Sequence, residues 1–241
     1  MPPEILMQCR EFRRRAGAVP DVSPSPSLGF PVAGCILGQT TVVPLHQPRS
    51  NALIFLIRHG QTEWNREARL QGRKDSPLTG EGIAQARRMG EVLQKAAAEA
   101  GPWIVMSSPL GRAYDTARIV CETAGLTVPI ATDDRLAELS VGPFEGMTRD
   151  EILAHTPQTE ITPGWIYNIP GGETEADLRA RLADWLAEVD ETDGHRRLVV
   201  SHGIAGRMLR HLYAGEPLQG LPPPQDSVFR LRGGRIEHLD G

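Results

Sequence analysis

Two histidines in this sequence each follow a short apolar run and precede a glycine. His59 follows the run 53–57 and Arg58, and His202 follows the run 197–200 and a serine. A neutral imidazole nitrogen can attack phosphorus near neutral pH without a metal, provided that cations offset the charge on the equatorial oxygens. Histidines at such positions could transfer a phosphoryl group, although one such motif alone is weak evidence.

Arginine side chains could supply these cations. Arg58 directly precedes His59, and Arg112 is expected in the first turn of a helix. Free backbone N–H groups and the positive end of the helix dipole favour an anion there. Guanidinium groups also match phosphate oxygens with paired, charge-assisted hydrogen bonds. Two arginines and two histidines that converge would form a phosphate pocket; the alternative for Arg112 is an ion pair with a nearby acid.

Apolar runs that alternate with helical patterns predict an α/β fold, with a doubly wound, mostly parallel sheet flanked by helices. Such sheets bind ligands beyond the carboxyl ends of their strands, so we expect His59, Ser108 and His202 to lie side by side. We also expect a hairpin at the end of the sequence. The expected strands are 53–57, 103–106, 128–131 and 197–200, and the hairpin joins 228–231 to 236–239.

Helical signals fill the segments between these runs. Thr79 is expected to cap a helix that ends by Gly101, and Ser108 to cap the next helix, with Pro109 at its first position. The strongest pattern covers residues 173–191, whose apolar positions repeat at helical spacing.

Composition limits the classes of partner. A formal net charge of −4 over 241 residues gives no general attraction to nucleic acid or to an anionic membrane. No apolar run approaches the roughly 18 residues that would span a bilayer. Three widely spaced cysteines without a C-x-x-C pair argue against a disulfide framework and a zinc site. We expect a cytoplasmic protein that binds no metal, nucleic acid or membrane.

The beginning of the chain differs from the rest. Residues 1–50 are rich in proline and lack periodicity, a composition that cannot bury enough apolar surface to offset chain entropy. We expect a mostly disordered extension at 1–50 and one domain at 51–241. An alternative is that translation begins closer to Leu53. Export is disfavoured, because residues 20–31 are rich in serine and proline where a signal peptide needs an apolar core.

Six short motifs occur in order along residues 53–241. They are Arg58-His59-Gly60-Gln61-Thr62-Glu63-Trp64-Asn65, then Asp75-Ser76-Pro77-Leu78-Thr79, then Ser107-Ser108-Pro109-Leu110 with Arg112-Ala113 and Thr116-Ala117, then Leu136 with Glu138 and Glu145-Gly146, then Pro170-Gly171-Gly172-Glu173, and finally Val200-Ser201-His202-Gly203. Together they resemble the histidine phosphatase superfamily, the group related to cofactor-dependent phosphoglycerate mutase. One departure is Ile204, where a second glycine is frequent; it removes no catalytic group.

The resemblance implies a role for each of these residues. His59 would be the nucleophile that takes up the phosphoryl group, and no cofactor would be needed. The groups that would hold the phosphoryl oxygens are Arg58, Arg112, Asn65 and His202, and Gly203 is a further candidate for substrate binding.

The resemblance also assigns a proton donor. Glu138 would protonate the leaving alcohol and then activate the water that hydrolyses phosphohistidine. Such a carboxyl must be available in its protonated form, so we expect a partly enclosed site; Glu145 is the alternative acid. Gln71, Arg73 and Lys74 follow in a polar loop, where they could contact the substrate or be solvated.

The sequence favours a phosphomonoester hydrolase that forms a phosphohistidine intermediate on a small phosphorylated metabolite. A cofactor-dependent phosphoglycerate mutase is the alternative, but the long charged insertion of those mutases is lacking between Gly146 and Gly171. A catalytically inactive phospho-ligand binding module is the third choice, because both histidines and both arginines are retained. The substrate stays open among sugar phosphates, phosphoglycerates, nucleotides and cobalamin precursors, and the protein is expected to be a monomer or homodimer.

Overall fold

The computed structural model of the chain describes residues 53–96, 101–156, 164–189, 194–219 and 223–239. The expected extension at 1–50 lies outside these ranges, as do residues 97–100, which precede the expected helix end at Gly101. Within the described ranges, no helix is long and apolar enough to cross a membrane.

Six strands form one mixed sheet. They are β1 (Leu53–Arg58), β2 (Trp103–Ser107), β3 (Ile130–Thr132), β4 (Arg196–Ser201), β5 (Val228–Arg232) and β6 (Arg235–Leu239). Their order in space is β3-β2-β4-β1-β5-β6. The first four are parallel to one another, whereas β5 is antiparallel to both β1 and β6. The mostly parallel sheet and the closing hairpin are therefore confirmed.

Six α-helices accompany the sheet. They are α1 (Glu63–Arg66), α2 (Gly80–Ala96), α3 (Gly111–Ala124), α4 (Arg149–His155), α5 (Glu175–Ala187) and α6 (Gly203–Ala214). Short 3₁₀ turns cover Asp134–Leu136, Gly142–Phe144 and Trp165–Asn168. These counts refer to the described ranges of the chain.

β1 is buried on both faces, which is why its sequence is an unbroken apolar run. Ile54 and Leu56 belong to a core shared with residues of α5 and α6. Phe55 and Ile57 belong to a second core, shared with residues of α2 and α3. Helices thus cover both faces of the sheet, and full burial of a side chain such as Phe55 contributes about 1.5–3 kcal/mol.

Two helix starts agree with the sequence analysis. Thr79 caps α2, because its Oγ1 accepts a hydrogen bond from the backbone N–H of Gly82 at 3.0 Å. The strong pattern at 173–191 corresponds to α5, which a reciprocal capping box between Thr174 and Asp177 begins.

The prediction for the start of α3 is wrong. This helix begins at Gly111, after Leu110, and no side chain caps it. Ser108 and Pro109 both lie before the helix, so neither holds its predicted position. The Oγ of Ser108 is instead 2.7 Å from Nε2 of His202. The same Oγ also accepts a local bond from the N–H of Leu110 at 3.3 Å, but this bond lies before the start of the helix.

Candidate active site

The ends of three neighbouring strands form the base of the site. β2, β4 and β1 are adjacent in that order, so Ser108, His202 and His59 follow the strands at one edge of the sheet. Backbone bonds extend beyond the strands: the N–H of His59 donates to Ser201 O at 3.0 Å, and that of Ser108 to Val200 O at 2.9 Å. The expected side-by-side arrangement is confirmed, and the sheet fixes the backbone there.

His59 has a lone pair directed at a cation. Its side chain is buried, and Nδ1 lies 2.8 Å from the carbonyl oxygen of Gly60. A carbonyl only accepts, so the bonding assigns the proton to Nδ1 and the lone pair to Nε2. Nε2 accepts a bond from Nε of Arg112 at 3.3 Å. Burial, with the charges of Arg58 and Arg112, lowers the pKa of His59 well below its ordinary value, so the ring is neutral at pH 7.

Gly60 lets the start of α2 approach the nucleophile candidate. A Cβ at residue 60 would lie 2.3 Å from the carbonyl oxygen of Gly82, and a Cβ at residue 82 would lie 2.0 Å from that of Gln61. The N–H of Gly60 also donates to Thr116 Oγ1 at 3.0 Å. Neither glycine can carry a side chain without backbone movement. The backbone after β1 therefore packs directly against the backbone at the start of α2.

Arg112 is buried in the first turn of α3, as expected. Its guanidinium donates to the carbonyl oxygens of Gly72 at 2.8 Å and Lys74 at 2.7 Å. It also bonds Oδ1 of Asp75 at 3.0 Å, so the ion pair considered as an alternative coexists with the contact to His59. Since a guanidinium has five N–H bonds, one is left for a ligand.

Arg58 ends β1 directly before His59. Its guanidinium has no hydrogen-bond partner among the described residues, and its Nε is buried. Burial lowers the pKa of Arg58, whereas the charge of the Glu138 carboxylate raises it in part. The backbone N–H of Gly203 likewise has no partner in this part of the chain. Unused donors beside the nucleophile candidate are what an oxyanion requires.

His202 is the second buried histidine of the site. Its ring centroid lies 5.1 Å from that of His59. Nε2 is held by Ser108, whereas Nδ1 is buried without a hydrogen-bond partner among the described residues. Burial, followed by the nearby His59, Arg112 and Arg58, lowers the pKa of His202 well below its ordinary value. The ring is therefore neutral and keeps one nitrogen for a ligand.

Glu138 is half-buried, as expected, and three backbone N–H groups hold its carboxylate. They belong to Leu139 at 3.0 Å and, in the first turn of α6, to Ile204 at 3.2 Å and Ala205 at 3.0 Å. These bonds fix the carboxylate at the wall of the cavity described below. The alternative acid, Glu145, does not line that cavity, which favours Glu138 as the proton donor.

Gln71 has a different environment from Arg73 and Lys74, its neighbours in the polar loop. Its Nε2 donates to Thr62 Oγ1 at 2.8 Å, and its Oε1 is buried without a partner among the described residues. Lys74 is exposed, and Arg73 lies 3.7 Å from a carboxylate oxygen of Glu173. Of the three loop residues, Gln71 is the one that lines the cavity.

Asn65 is held by a residue that the sequence analysis missed. Its Oδ1 accepts from Thr62 N–H at 3.2 Å and from Gln225 Nε2 at 3.0 Å. Gln225 also donates to the carbonyl oxygen of His59 at 3.2 Å. It follows a proline-rich segment far along the chain, where no motif marks it. Ser108, the partner of His202, was within a matched motif but had been interpreted as a helix cap.

One cavity of about 770 Å³ brings the predicted residues together. Beyond them its lining is largely apolar and aromatic. No group of three or more His, Cys, Asp or Glu side chains that could hold a metal ion occurs in the described ranges. The predicted residues that line the cavity are Arg58, His59, Asn65, Gln71, Arg112, Glu138, His202 and Gly203.

Comparison with known sequences agrees with this geometry. The model of the histidine phosphatase superfamily (branch 1) matches residues 54–230. The chain is also 37% identical over 197 residues to the protein named Probable phosphoglycerate mutase GpmB of Salmonella paratyphi C, a match that covers 78% of this chain and 84% of that protein.

Solved structures show the same fold. Bacillus stearothermophilus YhfR is 31% identical with a TM-score of 0.63, and the match covers 78% of this chain and 95% of that one. A mycobacterial glucosyl-3-phosphoglycerate phosphatase in complex with VO₃ is 29% identical with a TM-score of 0.61, over 78% of this chain and 97% of that one.

Proposed function

The chain belongs to the histidine phosphatase superfamily (branch 1), and from that premise we propose that it hydrolyses a small phosphomonoester through a phosphohistidine intermediate. His59 is the proposed nucleophile and Glu138 the proposed acid. The remaining groups bind the phosphoryl oxygens.

One observation carries the proposal. The neutral ring of His59 has its Nε2 lone pair beside Arg112, while the guanidinium of Arg58 has no partner among the described residues. A lone pair beside one paired guanidinium and one unpaired guanidinium suits attack on a dianionic phosphoryl group, because the unpaired one can bind the phosphoryl oxygens. The relative solved with VO₃, an oxyanion, supports the same kind of ligand.

In the first step Nε2 of His59 attacks phosphorus, and the bond from phosphorus to the ester oxygen breaks. Arg58, Arg112 and the other donors stabilise the charge on the equatorial oxygens, the larger part of catalysis in such reactions. The ester oxygen takes a proton from Glu138 and leaves as an alcohol.

In the second step Glu138, now a carboxylate, takes a proton from water as the water oxygen attacks phosphorus. The bond from phosphorus to Nε2 breaks, and inorganic phosphate leaves. His59 is regenerated in its starting form, and Glu138 again carries a proton. No step needs a redox cofactor or a second substrate.

Phosphate release over a panel of phosphomonoesters, measured in the presence of a chelator, tests this function. We expect multiple turnover and, on rapid quenching, a phosphoenzyme that is stable to base and labile to acid, as phosphohistidine is. A strict requirement for added metal, or a phosphoenzyme stable to acid, would contradict the mechanism.

A phosphoglycerate mutase is the second candidate, because the 37% identical relative carries that name. A mutase must transfer the phosphoryl group from the histidine back to an acceptor hydroxyl rather than to water. Interconversion of 2- and 3-phosphoglycerate, primed by the bisphosphorylated ester, distinguishes the two. Interconversion much faster than phosphate release would replace the hydrolase proposal.

A further inference from the structure

The cavity is larger than a phosphoryl group needs. Its volume of about 770 Å³ lies within the range of roughly 300–1,000 Å³ that holds drug-sized ligands. Away from the phosphate-facing groups, its walls carry large apolar and aromatic side chains. These include Trp165, Ile166, Tyr167, Leu218 and Phe229. Such walls suit a leaving group with an apolar body.

Arg207 adds a cation to this apolar region. Its Nη1 donates to the carbonyl oxygen of Leu218 at 3.0 Å, and its other guanidinium N–H groups have no partner among the described residues. Its charge also reaches Tyr167, whose pKa is raised by burial and lowered in part by Arg207. Arg207 therefore lies beside the aromatic wall.

Two other arginines of the cavity wall, Arg69 and Arg210, have acidic partners, whereas Arg149 is exposed. Nη1 of Arg69 lies 2.8 Å from a carboxylate oxygen of Glu151. Nε of Arg210 lies 2.7 Å from one of Glu216. Within the described ranges, Arg207 has no such acid. A half-buried cation without an acid can bind an anionic group of a ligand.

Gly206 leaves open space next to Arg207. It is buried and lines the cavity. Apart from its chain neighbours and the adjacent backbone of α6, no atom of the described residues lies within 4 Å of the position that a Cβ would occupy. The residue is inside α6, where the backbone conformation does not require glycine and where glycine is unfavourable by about 1 kcal/mol relative to alanine. Its lack of a side chain enlarges the cavity.

Building on the proposed hydrolase function, we propose that the substrate's leaving alcohol has a ring-sized apolar body and a second anionic group. Arg207 binds that anion, and Gly206 leaves room for the body. A small phosphorylated acid such as a phosphoglycerate would fill only part of this space.

Binding of phosphonates, which cannot be hydrolysed, tests the subsite apart from catalysis. Benzylphosphonate is compared by calorimetry with its 3- and 4-carboxybenzyl analogues. We expect at least one carboxylated analogue to bind about 10-fold more tightly to the wild-type protein, because of the added charged hydrogen bond. Equal affinities would overturn the proposal. This measurement uses only the wild-type protein, so it does not depend on whether a variant folds.

Turnover of the corresponding phosphate esters provides the second arm. Arg207→Gln should reduce the preference for the carboxylated ester to within about 2-fold, whereas the exposed control Arg118→Gln should retain it. Gly206→Leu should lower kcat/KM for benzyl phosphate relative to ethyl phosphate by about 10-fold.

The outcomes separate the two proposals. A carboxylate preference that survives in Arg207→Gln, or a size preference that survives in Gly206→Leu, would overturn the subsite while hydrolysis stands. Carboxylate-dependent phosphonate binding without hydrolysis of any ester would support the subsite and refute the hydrolase.

Discussion

The two regions of the cavity are built differently. At the phosphate-facing region, Arg112 donates four hydrogen bonds from its guanidinium, and Glu138 accepts three from the backbone. At the leaving-group region, Arg207 makes one, and Gly206 contributes only space. Arg112 and Glu138 are thus held in place by their neighbours, although Arg58 has no partner among the described residues. The second region is formed by side chains from several segments of the chain.

This difference indicates that the first region determines the rate of the reaction and the second determines substrate selectivity. Groups that face a transition state must be held in one geometry, since a small misplacement is costly. Groups that face a leaving group can change without disturbing the sheet edge. Substitutions in the first region should therefore lower turnover of every substrate, and those in the second should change the ranking of substrates.

His59→Ala should have the largest effect. Without the nucleophile, we expect kcat to fall by about 10⁴-fold or more for all esters, and no phosphoenzyme to form. Quenched-flow labelling and steady-state rates provide the measurement. The exposed His155→Ala is the matched control and should keep wild-type rates; a labelled phosphoenzyme in His59→Ala would remove His59 from its role.

Glu138→Gln should have the second-largest effect, and the size of the loss should depend on the leaving group. For alkyl phosphates, whose alcohols need a proton, kcat/KM should fall by about 10²–10⁴-fold. For p-nitrophenyl phosphate, whose leaving group is stable as an anion, the loss should be much smaller. Glu145→Gln is the control, and the opposite pattern in this pair would assign the proton to Glu145.

Arg58→Gln should lower kcat/KM by about 10²–10³-fold for every ester, because it removes one preorganised donor to the transition state. Steady-state rates on the benzyl and carboxybenzyl phosphates give the comparison with Arg207→Gln. The Arg58 loss should be uniform. If Arg58→Gln lowered kcat/KM for carboxylated esters alone, the two regions would not differ in function as proposed.

The smallest effect concerns stability rather than rate. The pKa values of His59 and His202 are both lowered in the folded protein, so below the unfolded pKa of about 6.5 the unfolded chain binds protons that the folded protein does not. The free energy of unfolding should thus fall between pH 7.5 and 5.5 by about 1 kcal/mol for each histidine. Urea unfolding at both pH values measures this, and His202→Asn should reduce the slope; an unchanged slope would show that His202 contributes nothing.

Much of the fold followed from local sequence. The apolar runs of β1 and β4 located the strand ends, and the order of the elements placed them at one edge, so His59 and His202 could be brought together before any coordinates. Thr79 was assigned correctly because capping is decided within one turn of helix.

The features that the sequence did not predict depend on contacts between residues that are far apart in the chain. Ser108 has the pattern of a helix cap, but its hydroxyl also bonds to His202, which follows another strand. Gln225 holds Asn65 and His59 from a loop that no pattern connects to them. The leaving-group region is formed by segments that meet only in the folded chain, so the exposed face of Arg207 and the space at Gly206 had no local signature.

The neutral state of the two buried histidines has a consequence for substrate capture. Since neither ring is charged near neutral pH, the positive potential of the cavity comes from guanidinium groups, which do not titrate there. The contribution of the cavity's cations to the attraction of a phosphate ester should therefore be constant from pH 6 to 8. Ionic strength, which screens charges over about 8 Å at physiological salt, should weaken this contribution, whereas pH acts through the ester, whose phosphate titrates near pH 6.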